Sequence, residues 1–160
     1  MSEARRIHLP LLDRLLDGDP DGPPDPPLTQ PMAIAVMRDA VRRDVEALLN
    51  ARRRRRPLPP GLTELAVSPL GYGVPDPTAG SFTTEEAREA LAREVEAVLR
   101  RFEPRLAALN VSLAEPQREA LDRSLKLRVE AILRTDPAPE QVAFETVLRP
   151  ATLDVTVRET

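Results

Sequence analysis

Cysteine and tryptophan are absent from this chain, and histidine and lysine occur once each, as His8 and Lys126. Without cysteine there is neither a disulfide framework nor a thiolate metal site. A single histidine leaves a histidine-based metal site or a catalytic triad nowhere to form. The aromatic residues are three Phe and Tyr72. Only Tyr72 offers a good stacking face for a sugar, and aromatics are not interleaved with the basic residues as a single-stranded nucleic-acid surface requires. No run of about 18 apolar residues is present, so no membrane-spanning helix is expected. Arginines open the N-terminus, but Pro and Asp follow before the apolar region of a signal peptide can form. These absences fit a cytoplasmic bacterial protein. Carboxylates are numerous enough for a glycosidase pair, yet none is bracketed by apolar residues in the way that raises a pKa. No catalytic residue, metal ligand or cofactor is assigned, and the chain is not read as an enzyme.

What is present describes a single domain with extensions. The chain has 160 residues, is 41% hydrophobic and 31% charged, and carries a net charge of −3. That length is enough to bury a substantial core, and that charge does not attract nucleic acid to the molecule as a whole. The 18 prolines divide the chain. Residues 1–31 form an N-terminal extension, with a leucine cluster (Leu9, Leu11, Leu12, Leu15, Leu16) followed by an acidic linker rich in Pro and Asp. Such a linker cannot build a packed core, so the leucine segment reads either as a tethered docking peptide or as a piece that folds back on its own domain. Residues 32–160 are expected to form the domain proper.

Within that domain, residues 33–53 predict a long helix with Ile34, Met37, Val41, Val45, Leu48 and Leu49 on one face. It runs into five arginines, Arg52 to Arg56. These suit the negative end of a helix dipole or, alternatively, form a cationic patch for an acidic partner. Residues 57–81 form a connection in which Gly71 and Gly73 flank Tyr72 and give the loop a specific shape. A second helix is expected from Thr83, where Thr83-Thr84-Glu85-Glu86 has the spacing of a capping box. Its apolar face is Ala87, Leu91, Val95, Val98, Leu99 and Phe102. Pro104 stops it. Beyond Pro104 the period becomes two, with Leu109, Val111 and Leu113 on one side.

Glu103 and Arg105 therefore lie on a stiff corner between helix and strand, a place from which charges are aimed. The plainer reading is a helix stop with two solvated charges, whose removal would spare the fold. Residues 125–133 fit both a strand and a helical stripe, and strand is preferred. Val142, Phe144, Thr146 and Leu148, then Leu153, Val155 and Val157, alternate as a hairpin. The expected fold is α+β, two long amphipathic helices on a small, mainly antiparallel sheet. The last strand, with Val155 and Val157, is expected to be an edge open to pairing with another chain.

Four stretches, in order, carry a family resemblance. They are Leu11-Leu12-Asp13-Arg14-Leu15, the segment from Arg42-Arg43-Asp44-Val45 through Leu49-Asn50-Ala51-Arg52-Arg53, Gly71-Tyr72-Gly73-Val74-Pro75-Asp76, and Phe102-Glu103-Pro104-Arg105-Leu106. Together they span nearly the whole chain, and the chain resembles the baseplate wedge family of contractile injection machines. The likeness is greatest to the small wedge subunits of type VI secretion baseplates (the TssE family), relatives of the gene 25-like lysozymes of contractile phage tails. The chain departs from the family in its long acidic linker, in the extension to five arginines, and in Gly71 where Asn is frequent.

The resemblance implies a structural subunit at the inner-membrane-docked baseplate, without catalysis despite the inherited lysozyme label. Its implied partners are the other wedge subunits (TssF, TssG, TssK) and the sheath proteins (TssB, TssC). Glu103, Pro104 and Arg105 would bind the helical core of the wedge, and the domain would present the first layer for sheath growth. Arg52, Arg53, Tyr72, Val155 and Val157 complete the candidate protein-binding residues. A regulatory anti-adaptor of the same small fold is the alternative, followed by a phage-tail lysozyme.

Overall fold

The computed structural model describes residues 9–16, 21–22, 28–53, 59, 61–75, 84–114, 125–135, 138–148 and 154–159. Three helices are found among them, α1 (Leu11–Leu15), α2 (Gln30–Asn50) and α3 (Glu85–Phe102), with two short 3-10 turns, Thr63–Val67 and Pro69–Gly71. Four strands follow α3: β1 (Leu106–Leu113), β2 (Leu125–Leu133), β3 (Glu140–Leu148) and β4 (Val155–Glu159). They pair as an antiparallel meander in the order β1-β2-β3-β4. The fold is α+β, as expected.

Local chemistry sets most of these limits. Pro31 falls in the first turn of α2, where its missing N–H costs nothing, and the helix begins three residues before the expected Ala33. Residues Met37, Val41, Val45, Leu48 and Leu49 form its buried stripe, joined by Ala33 and Ala40, while Ile34 is only half-buried. The expected end near Arg53 is corrected to Asn50, because the chain beyond is drawn into another partnership. Arg53 N–H donates to the Val74 carbonyl at 2.9 Å, and Val74 N–H donates to the Ala51 carbonyl at 3.0 Å. These bonds form a one-residue parallel bridge between Arg52 and Val74.

Thr84 caps α3, its hydroxyl accepting from Ala87 N–H at 3.2 Å, which corrects the expected start by one residue; Thr83 lies outside the described residues. Leu91, Val95, Val98 and Leu99 face inward. Glu103 N–H still bonds to the Leu99 carbonyl at 2.8 Å, and the helix ends there.

Strand, not helix, holds at 125–133. β2 is paired along its length with both β1 and β3, and its odd-numbered residues are all buried. The helices cover this one face of the sheet, α3 over β1 and α2 over β4. Phe144, Leu99, Leu133, Val41, Val45, Val98 and Val129 are all essentially inaccessible at the centre. Burying each such side chain contributes about 1.5–3 kcal/mol. The turn expected at Arg149-Pro150-Ala151-Thr152, together with Leu153, lies outside the described residues.

β1 departs from simple alternation. Leu106 and Leu109 are both buried although three positions apart. The register shifts by one residue between Ala107 and Asn110, and Ala108 adopts a positive φ of 46°. This is a β-bulge. It lets both leucines reach the core while Leu109 and Val111 resume the two-residue period.

Candidate functional site

The corner after α3 is a tight turn. Pro104 occupies its second position, where a fixed φ favours the turn, and Leu106 N–H donates to the Glu103 carbonyl at 3.1 Å. The Arg105 carbonyl accepts from Arg134 N–H at 2.9 Å, which pins the corner to the end of β2. Both charged side chains are thus held on a rigid support.

Glu103 is not a solvated charge. It is 4% exposed, one of two buried polar or charged residues among those described. Arg105 donates from Nε to Glu103 Oε1 at 2.5 Å and from Nη2 to Oε2, a two-point pairing. The same Nη2 reaches Asp44 Oδ2 of α2 at 2.7 Å. Asp44 Oδ1 accepts from Arg43 Nε at 3.1 Å. Arg43 in turn grips Asp13 of α1 with Nη1–Oδ1 at 2.6 Å and Nη2–Oδ2 at 3.1 Å. Three carboxylates and two guanidiniums alternate in one chain, Asp13–Arg43–Asp44–Arg105–Glu103, joining α1, α2 and the corner.

The electrostatic consequences follow the contacts. The hydrogen bond to Glu103, then that to Asp44, holds Arg105 well above the ordinary arginine range. Asp13 does the same for Arg43, with Asp44 assisting. Arg43 holds the Asp13 carboxyl below the usual carboxylate range, chiefly through its hydrogen bond. These guanidiniums are therefore fixed charges, used for geometry rather than for proton transfer.

Tyr72 belongs to the same neighbourhood. Its ring meets Phe102 edge-to-face, with centroids 5.3 Å apart and an interplanar angle of 75°, a favoured aromatic arrangement. Burial, then the charges of Asp44 and Glu103, pushes its phenol above the ordinary value of 10.0. Even so Tyr72 is 38% exposed, and Pro104 is exposed beside Arg105. Two glycines place the tyrosine. A Cβ at Gly71 would lie 2.2 Å from the Ala66 carbonyl oxygen, and one at Gly73, where φ is +98°, would lie 2.4 Å from that of Ala51.

The remaining candidates are distributed differently. Arg52 donates to the Leu49 carbonyl at 2.9 Å, satisfying an end group of α2. Arg53 pairs with Glu94 of α3 at 2.7 Å. Both arginines thus make contacts within the domain, and Arg54 to Arg56 lie outside the described residues. Val155 and Val157 are core residues, 7% and 2% exposed. β4 is the terminal strand, as expected, but its outward amides at these positions are occupied. Asn50 Oδ1 accepts from Val155 N–H at 2.9 Å, and Glu46 Oε2 accepts from Val157 N–H at 3.0 Å.

Sequence reasoning did not assign Asp13, Arg43, Asp44, Glu46 or Asn50 to the site, although all five lie in the stretches that carried the resemblance. The available signal was the alternation of sign within those stretches, which says that partners are needed but not which.

The match of this chain to known families bears on what such a corner is for. The family model for baseplate wedge protein gp25 matches residues 35–138, more than half of the 160-residue chain. The chain belongs to the baseplate wedge protein gp25 family. None of the curated proteins compared with it matches. The matched region of this gp25 family member runs from early α2 through β2 and includes Asp44, Asn50, Tyr72 and the Glu103-Pro104-Arg105 corner. Asp13 and β4 lie beyond it, so the α1 contact and the guarded edge are read from this chain alone. Among the described residues of this family member, no helix is long and apolar enough to cross a membrane.

Proposed function

We propose that this gp25-family protein is a structural subunit of a type VI secretion baseplate wedge, of the TssE kind, that joins the helical wedge core to the first layer of sheath. The observation that carries this reading is the buried pairing of Glu103 with Arg105, braced by Asp44 on a proline corner. A two-point guanidinium–carboxylate pair costs desolvation and contributes little net stability compared with apolar packing. What it does provide is a fixed orientation. The backbone of Pro104, the outer part of Arg105 and the exposed edge of Tyr72 then form a rigid, shaped surface for a partner. TssF, TssG and TssK supply the wedge-side surfaces in this reading, and TssB and TssC the sheath. Residues 1–31 act as a docking extension of the 32–160 domain at the cytoplasmic baseplate.

The exposed members test the corner without disturbing its buried pair. Tyr72→Ser combined with Pro104→Ala is expected to retain the circular dichroism spectrum and to lose association with co-expressed TssF–TssG by at least tenfold, read by sedimentation velocity. A folded double variant that binds with the wild-type constant overturns the assignment of the corner.

A further inference from the structure

α1 is held to the domain by its polar side and not by its apolar one. None of its residues is buried, and Asp13 is joined to Arg43 through both carboxylate oxygens. At 3.6 residues per turn, Leu11, Leu12, Leu15 and Leu16 fall within an arc of about 140°, with Asp13 and Arg14 outside it. Leu16 lies just past the helix, but its N–H still donates to the Leu12 carbonyl at 3.0 Å, which keeps it in place. The leucines thus make two adjacent rows of spacing four, Leu11 with Leu15 and Leu12 with Leu16, and each is more than half exposed. Rows of that spacing are the ridges that seat in the grooves of another helix. An extended strand needs free backbone groups, whereas the amides of Arg14 and Leu16 are already bonded to the Pro10 and Leu12 carbonyls.

The leucine rows are not isolated on the surface. Among the described residues, the exposed large apolar side chains all fall in two stretches, 11–32 and 62–72. Both stretches reach the ion chain around Asp44. The first does so through Asp13 and Arg43, the second through Tyr72, whose phenol is pushed upward by burial and then by the charges of Asp44 and Glu103. The charges between them are paired with one another, Asp44 with Arg43 and Arg105, and Arg105 with Glu103. They call for no counter-charge from a partner, so the chemistry left to recognise here is apolar. One side of a stable interface takes roughly 20–30 residues, which α1 alone does not supply. That limit counts against two copies meeting α1 to α1, and favours one body that touches α1 and the surface of Tyr72 and Pro104 together.

We infer that α1 is a preformed knob that seats its leucine rows in an apolar groove of the same helical partner that takes the Glu103-Pro104-Arg105 corner. This deepens the baseplate reading and rests on it for the identity of that partner. The pair of Asp13 and Arg43 is the latch. Five residues form no stable helix alone, and the ion pair presents them beside the corner without using any leucine. The partner then meets two contacts on one body, and the second forms at the high effective concentration set by the first.

Leu11→Ser with Leu15→Ser, in the full chain, removes one row. Neither leucine is buried, so the circular dichroism spectrum and melting temperature should not change, while affinity for co-expressed TssF–TssG falls at least tenfold by sedimentation velocity. Asp13→Asn keeps both rows but frees α1, and should weaken binding by only about threefold to fivefold, the loss of preorganisation. In the wild-type complex, hydrogen exchange at the Arg14 and Leu16 amides should slow. A folded leucine variant that binds with the wild-type constant, while Tyr72→Ser with Pro104→Ala does not, overturns the role of α1 and leaves the corner standing. So does a wild-type complex in which the Arg14 and Leu16 amides exchange as fast as in the free chain, a measurement that decides the matter even if the leucine variant does not fold. An Asp13→Asn loss as large as that of the leucine variant overturns it too, because the acid and not the leucines then meets the partner. A wild-type dimer that dissociates in the leucine variant assigns the rows to a second copy and equally overturns it. Failure of the wild type to bind TssF–TssG at all overturns the baseplate reading, and this inference with it.

Discussion

Asp13 and Arg43 meet through both carboxylate oxygens and both terminal nitrogens, at 2.6 and 3.1 Å, across a separation of 30 residues. The helix that carries Asp13 has no buried residue; its leucines Leu11, Leu12 and Leu15 are 64%, 53% and 71% exposed, and Leu16, just past its end, is 65% exposed. α1 is thus turned with its acid toward the domain and its apolar residues toward solvent. A helix folded back to complete the core would be turned the other way.

The strength of that contact is a matter of pH. Arg43 lowers the Asp13 pKa from its ordinary value of 3.8, so the folded value lies below the unfolded one. The stabilisation is present in full above the unfolded value and is lost as pH falls through the folded value. Because the Arg43 side chain is 41% exposed, screening keeps its worth below about 1 kcal/mol. An NMR titration of Asp13 together with the α1 amides should show α1 leaving the domain below pH 3.8 while the β2 and β3 amides hold. Asp13→Asn should show α1 already detached at neutral pH, with the melting temperature nearly unchanged.

The buried corner responds unequally to single and paired changes. Arg105→Ala leaves the Glu103 carboxylate, 4% exposed, without its two-point partner, and should cost about 3 kcal/mol in urea denaturation. Adding Glu103→Leu removes the orphaned charge and should recover more than half of that loss. Equal losses in the single and double variants would show that the corner is held by packing and not by the pair.

Tyr72 depends on the glycine that follows it. Gly73→Ala places a methyl 2.4 Å from the Ala51 carbonyl oxygen at a φ of +98°, a backbone conformation that costs about 1–3 kcal/mol for a residue with a side chain. The expected result is a loss of that size, with a change in the near-ultraviolet signal of Tyr72 as its ring leaves Phe102. A variant with wild-type stability and an unaltered spectrum would mean that the 71–73 loop has room to relax.

Catalysis on a glycan needs a carboxylic acid whose pKa is raised. Asp13 moves in the opposite direction, held down by Arg43, and Glu86 is likewise lowered, by backbone and Thr84 hydrogen bonds at the start of α3. Purified protein is expected to release no soluble muropeptides from peptidoglycan above a heat-inactivated control, by chromatography. Release abolished by changing one Asp or Glu would restore the lysozyme reading.

Short-range chemistry made much of the chain readable from residues alone. The α3 helix and its stop before Pro104 involve neighbours within four positions, so periodicity and the proline suffice, although the cap is Thr84, one residue past the Thr83 of the expected capping box. The alternation of Val142, Phe144, Thr146 and Leu148 is equally local, because side chains of a strand take opposite faces whatever lies beyond them. The α+β class followed from those periods, and the family from four short stretches in order. Three features were decided only when distant segments met. α2 ends at Asn50 because Ala51 and Arg53 bond to Val74, whose approach no local pattern records. The bulge at Ala108 reconciles Leu106 and Leu109 with one core; their spacing of three was a sign of it, but the register against β2 determines it. Glu103 and Arg105 were visible as charges on a corner. That Glu103 is buried, that Arg105 is braced by Asp44, and that Asn50 and Glu46 cover β4 came from the fold, the contacts joining residues 61, 105 and 111 positions apart. Hydrogen bonds and ion pairs act over a few ångströms of space, and only the folded chain brings those partners within that range.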